Sequence, residues 1–145
     1  MIKKRRGDDM KKWKSYICLI IGVLLFLTGC SVERTDQKKI KDLEFSVVEE
    51  SQIPEELLPL IEEKKREDFK MTFDTEDAKY LVRGYGVQPT NGYSISVEEL
   101  YITSNAICLN TNLIGPAKGE AVSPVESWPY IVIKIEYMDK SVVFK

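Results

Sequence analysis

The chain has 145 residues, 21 Lys and Arg against 23 Asp and Glu, a formal net charge of −2, and 43% aliphatic, aromatic and Cys residues. That length allows at most one domain with an appendage, and that apolar content suits a packed core rather than wholesale disorder. No His is present, which removes the commonest general base and the commonest zinc ligand together.

The amino terminus reads as an address. Lys3-Lys4-Arg5-Arg6 and Lys11-Lys12-Trp13-Lys14 are basic, and an uncharged apolar run follows from Ile17 to Leu27. That run is shorter than the roughly 20 residues a membrane-spanning helix needs, so the pattern is that of a secretory signal. Met10, directly before Lys11, is a more usual start than Met1. The run ends in Leu27-Thr28-Gly29-Cys30, which resembles the lipobox of bacterial lipoproteins. The resemblance implies a diacylglycerol group on the Cys30 thiol and removal of residues 1–29. Cys30 then opens the mature chain, anchored on the extracytoplasmic face of a bacterial, Gram-positive cell membrane. Two acyl chains make such an anchor stable where one gives only marginal binding.

Without residues 1–29 the chain has 14 basic and 21 acidic side chains, a net charge of −7. An acidic body argues against nucleic acid as a partner and against a polybasic membrane-hugging surface. Cys18 lies in the leader and Cys30 is acylated, so Cys108 has no partner for an intrachain disulfide. The spacing of the three cysteines fits neither a zinc ribbon nor a redox CxxC pair.

Residues 30–42 are polar and charged and read as a flexible tether, leaving residues 43–145 as a single domain. Leu43 to Val48 has the content of a short strand. One short helix is expected from about Pro54 or Pro59 to Glu67, with Leu57, Leu58, Leu60 and Ile61 as its apolar stripe. Pro59 is awkward there, because a proline inside an established helix costs about 3 kcal/mol.

Beyond the helix the pattern is β. Phe69, Met71 and Phe73 alternate with polar neighbours, Asp74 to Asp77 form a turn, and Tyr80 to Gly86 form a strand. Gly84 to Ile95 is either a hairpin tip or a loop joining two strands, with Pro89 fixing φ and Asn91-Gly92 able to supply positive φ. Tyr93, Ile95 and Val97 alternate, and the pattern then slips by one residue to Leu100 and Ile102. A bulge near Glu98-Glu99 would absorb that slip. Ile107, Leu109, Thr111 and Leu113 share one face of the next strand, leaving Cys108 half-exposed on the other. Gly115-Pro116 and Lys118-Gly119 mark a loop. Tyr130 to Ile135 reads as a central strand covered on both faces. Ser141 to Phe144 closes the chain after a turn at Met138-Asp139-Lys140. The expected fold is mainly β (α+β), an antiparallel sandwich or half-open barrel with one short helix packed on it.

No catalytic constellation emerges. The absence of His leaves no Ser-His or Cys-His pair, and Gly84-Tyr85-Gly86 lacks the Lys and helix of a phosphate loop. Adjacent carboxylates such as Glu98-Glu99 point to opposite strand faces, and the acidic turn Asp74–Asp77 lacks EF-hand spacing. No catalytic residue, metal ligand or cofactor is expected.

Gly86, Pro89-Thr90-Asn91-Gly92-Tyr93-Ser94-Ile95, the Pro116–Gly119 loop, Pro129-Tyr130-Ile131-Val132 and Val143-Phe144 together resemble the carboxy-terminal domain of the PrcB family, over about residues 80–145. Those proteins are lipoprotein subunits of a surface protease complex. Asn91 stands where that family often has Gly, and Trp128 where it often has Tyr. The resemblance implies a non-catalytic accessory role beside a protease. Gln88-Pro89-Thr90-Asn91-Gly92-Tyr93 is also similar to the cleft-entering loop of chagasin-type protease inhibitors, which works beside a second loop containing Arg-Pro-Trp. Ser127-Trp128-Pro129 carries related residues in another order. The expected contact residues are therefore Pro89, Thr90, Asn91, Gly92, Tyr93, Trp128 and Pro129. A rigid loop with exposed aromatics suits binding because ordering costs little. The other class considered is a lipoprotein that holds a small molecule or cell-wall polysaccharide. It ranks second because so short a domain leaves little room for a closing pocket.

Overall fold

The computed structural model describes residues 38–145. The leader, the lipobox and Cys30 lie outside the described residues. Among the described residues, two four-stranded sheets, one α-helix and a single 3-10 turn at Glu50–Gln52 account for the regular structure. The strands are β1 (Lys41–Asp42), β2 (Ser46–Val47), β3 (Asp68–Asp74), β4 (Ala78–Tyr85), β5 (Ser94–Ile102), β6 (Ala106–Ile114), β7 (Tyr130–Glu136) and β8 (Ser141–Phe144), with helix α1 at Leu57–Lys64. One sheet has the order β1-β5-β6-β8 and the other β2-β7-β4-β3. This is a β-sandwich with one helix, as the strand patterning implies.

Alternation decides the layers. On β4 and β7, Leu81, Ile131, Ile133 and Ile135 face the first sheet and pack with Leu100, Ile107 and Leu109. Tyr80, Val82 and Val132 point the other way and pack under Ile53, Leu57 and Ile61. The second sheet is thus covered on both faces, which is why β7 reads as a nearly continuous apolar run.

Several local expectations need correcting. Leu43 to Val48 is not one strand. Lys41 and Asp42 pair with Tyr101 and Ile102 in one sheet, whereas Ser46 and Val47 pair with Ile133 and Lys134 in the other. Ile40, read from sequence as part of the tether, already donates its N–H to the Ile102 carbonyl at 2.8 Å. The helix begins at Leu57, so Pro59 is its third residue. The missing N–H there belongs to the first turn, where it would have no intrahelical acceptor, and the cost of an interior proline does not arise. The closing strand β8 pairs parallel with β6, from Ala106↔Ser141 to Leu109↔Phe144, while every other named pairing is antiparallel. The bulge falls between Val97 and Glu99, as the slipped alternation requires.

Cys108 is 1% exposed rather than half-exposed. β6 lies between β5 and β8, so Cys108 is flanked by Tyr101 and Val143. Lys39 and Lys145 both lie against the Tyr101 ring, at 5.5 and 5.2 Å. The outer face of this sheet is therefore partly covered by lysine stems, which bury apolar surface while keeping their charges in water.

Candidate functional site

Gly84 pairs with Tyr130 and Ser94 pairs with Ile114. The end of β4, the start of β5, the end of β6 and the start of β7 therefore lie at one end of the sandwich. Two loops meet there. Residues 86–93 cross from the second sheet to the first, and residues 115–129 cross back, so the glycine-rich stretch is a crossover loop and not a hairpin tip.

The strand beneath the first loop is fixed by polar groups facing the other sheet. The Tyr85 hydroxyl and the Thr111 hydroxyl are hydrogen-bonded at 2.8 Å, which ties the two sheets together. Arg83 is buried, donates to the carbonyls of Phe69 and Gly84, pairs with Asp68 at 2.8 Å and lies 4.0 Å from the centre of the Tyr85 ring. The loop then turns at Gly86 (φ +68°) and Gly92 (φ +86°). Asn91, expected to share the positive φ, does not, because no residue other than glycine has φ in that region among the described residues.

The loops are laced to each other. Gln88 and Ser127 exchange backbone hydrogen bonds at 2.8 and 3.0 Å, a single antiparallel rung. The Ser127 hydroxyl donates to the Thr90 carbonyl at 2.6 Å, and the Ser123 N–H donates to the Asn91 side-chain oxygen at 2.8 Å. The Gln88 side-chain amide donates to the Tyr85 carbonyl at 3.0 Å. Each such bond is worth about 1 kcal/mol net, and several acting on one loop preorganise it.

The two segments named from sequence are thus brought together. Pro89, Asn91 and Gly92 are exposed, while Thr90, Tyr93, Trp128 and Pro129 are half-buried. Tyr93 lies against Gly115, with its ring edge 3.4 Å from where a Cβ would stand. Trp128 is half-buried and packed under the end of the helix, so it does not project freely from the loop. Lys65 and Arg66, at the end of the helix, sit 5.3 and 5.0 Å from its ring centre, and its Nε1–H is buried without a hydrogen-bond partner. Ser123 and Ser127 escape a reading of sequence because isolated serines in a polar loop carry no periodic signal. Val87, Val122 and Val125, at this end or on these loops, are also exposed aliphatic residues that sequence reasoning did not single out.

The two loops present one continuous surface held by hydrogen bonds between them. Among the described residues no group of three or more Cys, Asp or Glu side chains is placed to hold a metal ion.

A Gly-Tyr-Gly exit from β4, a Pro-Thr-Asn-Gly-Tyr loop and a Trp-Pro-Tyr approach to β7 now stand in one structural unit. Residues 79–136 match the PrcB C-terminal family. The PrcB C-terminal segment runs from the second residue of β4 to the last of β7 and so contains both laced loops. It leaves out β1 to β3, the helix and β8, and Val143-Phe144, read from sequence as part of the resemblance, lies beyond it. No curated protein and no solved structure matches the chain.

Proposed function

We propose that the chain is a membrane-anchored extracytoplasmic lipoprotein that acts as a non-catalytic accessory module, binding a partner protein through the laced loops, with a surface protease as that partner. The observation that carries this reading is the coincidence of the PrcB C-terminal match with the two loops, both of which fall inside residues 79–136. The Gln88–Tyr93 stretch, similar in sequence to the chagasin-type loop, stands beside Ser127-Trp128-Pro129 at the same end of the sandwich. A hydrogen-bonded loop with exposed Pro89 and Gly92 offers a partner a surface already ordered. The membrane anchor rests on Leu27-Thr28-Gly29-Cys30 and the basic, apolar leader before it.

The test is cross-linking on intact cells followed by mass spectrometry of captured proteins. The native chain should capture a surface protease, and Pro89→Asp, which changes an exposed residue only, should lose that capture while melting at the same temperature. Equal capture by both chains would exclude these loops. Cys30→Ala should leave the leader uncleaved and the chain without lipid.

A further inference from the structure

Beside Trp128 one edge of β7 is open. β2 pairs with β7 only at Ser46↔Lys134 and Val47↔Ile133, and the last bond on that edge runs from the Val48 N–H to the Val132 carbonyl at 2.9 Å. β7 itself starts at Tyr130, so no described strand flanks Tyr130 on the side away from β4. A groove of about 350 Å³ follows this edge, and Val47, Val48, Glu50, Ile53, Trp128 and Tyr130 are among the residues that line it.

Two polar groups of the lining are unmatched. The Trp128 Nε1–H is buried and meets no acceptor. Glu50 forms no ion pair among the described residues. Glu50 is the one charged side chain among the lining residues, and burial, then the charges of Glu50 and Glu62, raises the nearby Tyr130 hydroxyl above its ordinary range. Lys65 is held by Glu62 at 2.6 Å and, with Arg66, lies over the indole, and neither cation lines the groove.

We infer that this groove binds an extended, basic peptide segment of a partner protein, added as a strand to the open edge of β7 at Tyr130. A Lys or Arg side chain of the segment lies beside Glu50, and the segment's backbone passes Trp128, which lines the groove. Main-chain bonding supplies affinity in such strand addition, and pockets for alternate side chains supply specificity. The inference rests on the protein-binding reading above, because Trp128 and Pro129 belong to both surfaces, and it specifies the chemistry of what is bound.

The test is an NMR titration of the isotope-labelled full chain in detergent. The probes are a short capped peptide of alternating Thr and Val with a central Lys, its central-Glu analogue, and the Lys peptide N-methylated at alternate amides. A Trp13→Phe variant assigns the two indole signals. The Lys peptide should shift the Trp128 indole proton and the Tyr130 amide, the Glu peptide should bind about five-fold more weakly, and the N-methylated peptide should not bind. Glu50→Lys should reverse the preference, which a folding defect could not do. Equal binding of the Lys and Glu peptides, or full binding of the N-methylated one, overturns the inference. Concentration-dependent shifts of the same signals without peptide assign the groove to a second copy and overturn it as well. Failure of the accessory-module reading is separately visible, as unchanged cellular capture by Pro89→Asp.

Discussion

The Ser127 hydroxyl donates to the Thr90 carbonyl at 2.6 Å, joining residues 37 positions apart in the chain. Ser127 also supplies both backbone groups of the rung to Gln88. One small residue therefore makes three of the bonds between the loops. Ser127→Ala keeps the rung and removes the hydroxyl. It should lower stability by about 1 kcal/mol in urea unfolding and speed amide exchange at Gln88 and Ser123. Exchange at Leu81 and Ile133, buried in the sandwich, should not change.

A second expectation concerns close approach. A Cβ on Gly84 would collide with the ring of Phe69 on the facing strand, its cross-strand partner. Gly84→Ala should cost about 1–3 kcal/mol as an overpacked core position. Combining it with Phe69→Leu should cost less than the sum of the two single changes, and a double-mutant cycle by urea unfolding measures that difference.

The patterns that repeat were readable before the fold was. Phe69-Met71-Phe73, the slip at Glu98-Glu99 and the apolar run of β7 each report which face a residue occupies, and alternation is a local property. What could not be read were relations set by distant chain. Cys108 alternates with buried residues as an exposed residue would, but it lies between two neighbouring strands under Lys145. Leu43 to Val48 looks like one strand because each half is pleated, and only the partners Tyr101 and Ile133 show that it changes sheet. At the loop end, Pro89 to Tyr93 announced a turn, whereas the contact with Ser123 and Ser127 had no local signature.

Trp128 should behave as a structural residue. With its ring half-buried and covered by Lys65 and Arg66, Trp128→Ala should cost about 2–4 kcal/mol in urea unfolding. Trp128→Phe keeps an aromatic face and removes the unpartnered N–H, so it should stay within about 1 kcal/mol of the native chain.

Alkaline stability should depend on Tyr130. Burial, then Glu50 and Glu62, hold its hydroxyl above the ordinary value of 10.0, so the folded chain keeps that proton more tightly than the unfolded chain. The contribution is fully present below pH 10, the unfolded value, and is lost as pH rises through the higher folded value. Tyr130→Phe should make this part of the alkaline decline disappear, as read from melting temperatures across that range.

Cys108 should resist thiol reagents in the native chain. At 1% exposure it can react only when the surrounding strands open. Its labelling rate should therefore rise with urea in step with unfolding, and labelling as fast as that of a free peptide thiol would contradict its burial.

The parallel pairing of β8 with β6 is one of several pairings between strands distant in the chain. Hairpins β3–β4 and β5–β6 join neighbouring segments and can form early, but β7 must return to β4 across the whole second hairpin. β8 pairs back to β6 from beyond β7, which lies in the opposite sheet, and the short strands β1 and β2 have their partners in β5 and β7, far along the chain. Long-range pairings of this kind slow folding. Of a chain delivered amino end first, the earliest strands to emerge have partners that emerge later, and the final four-residue strand completes the sheet.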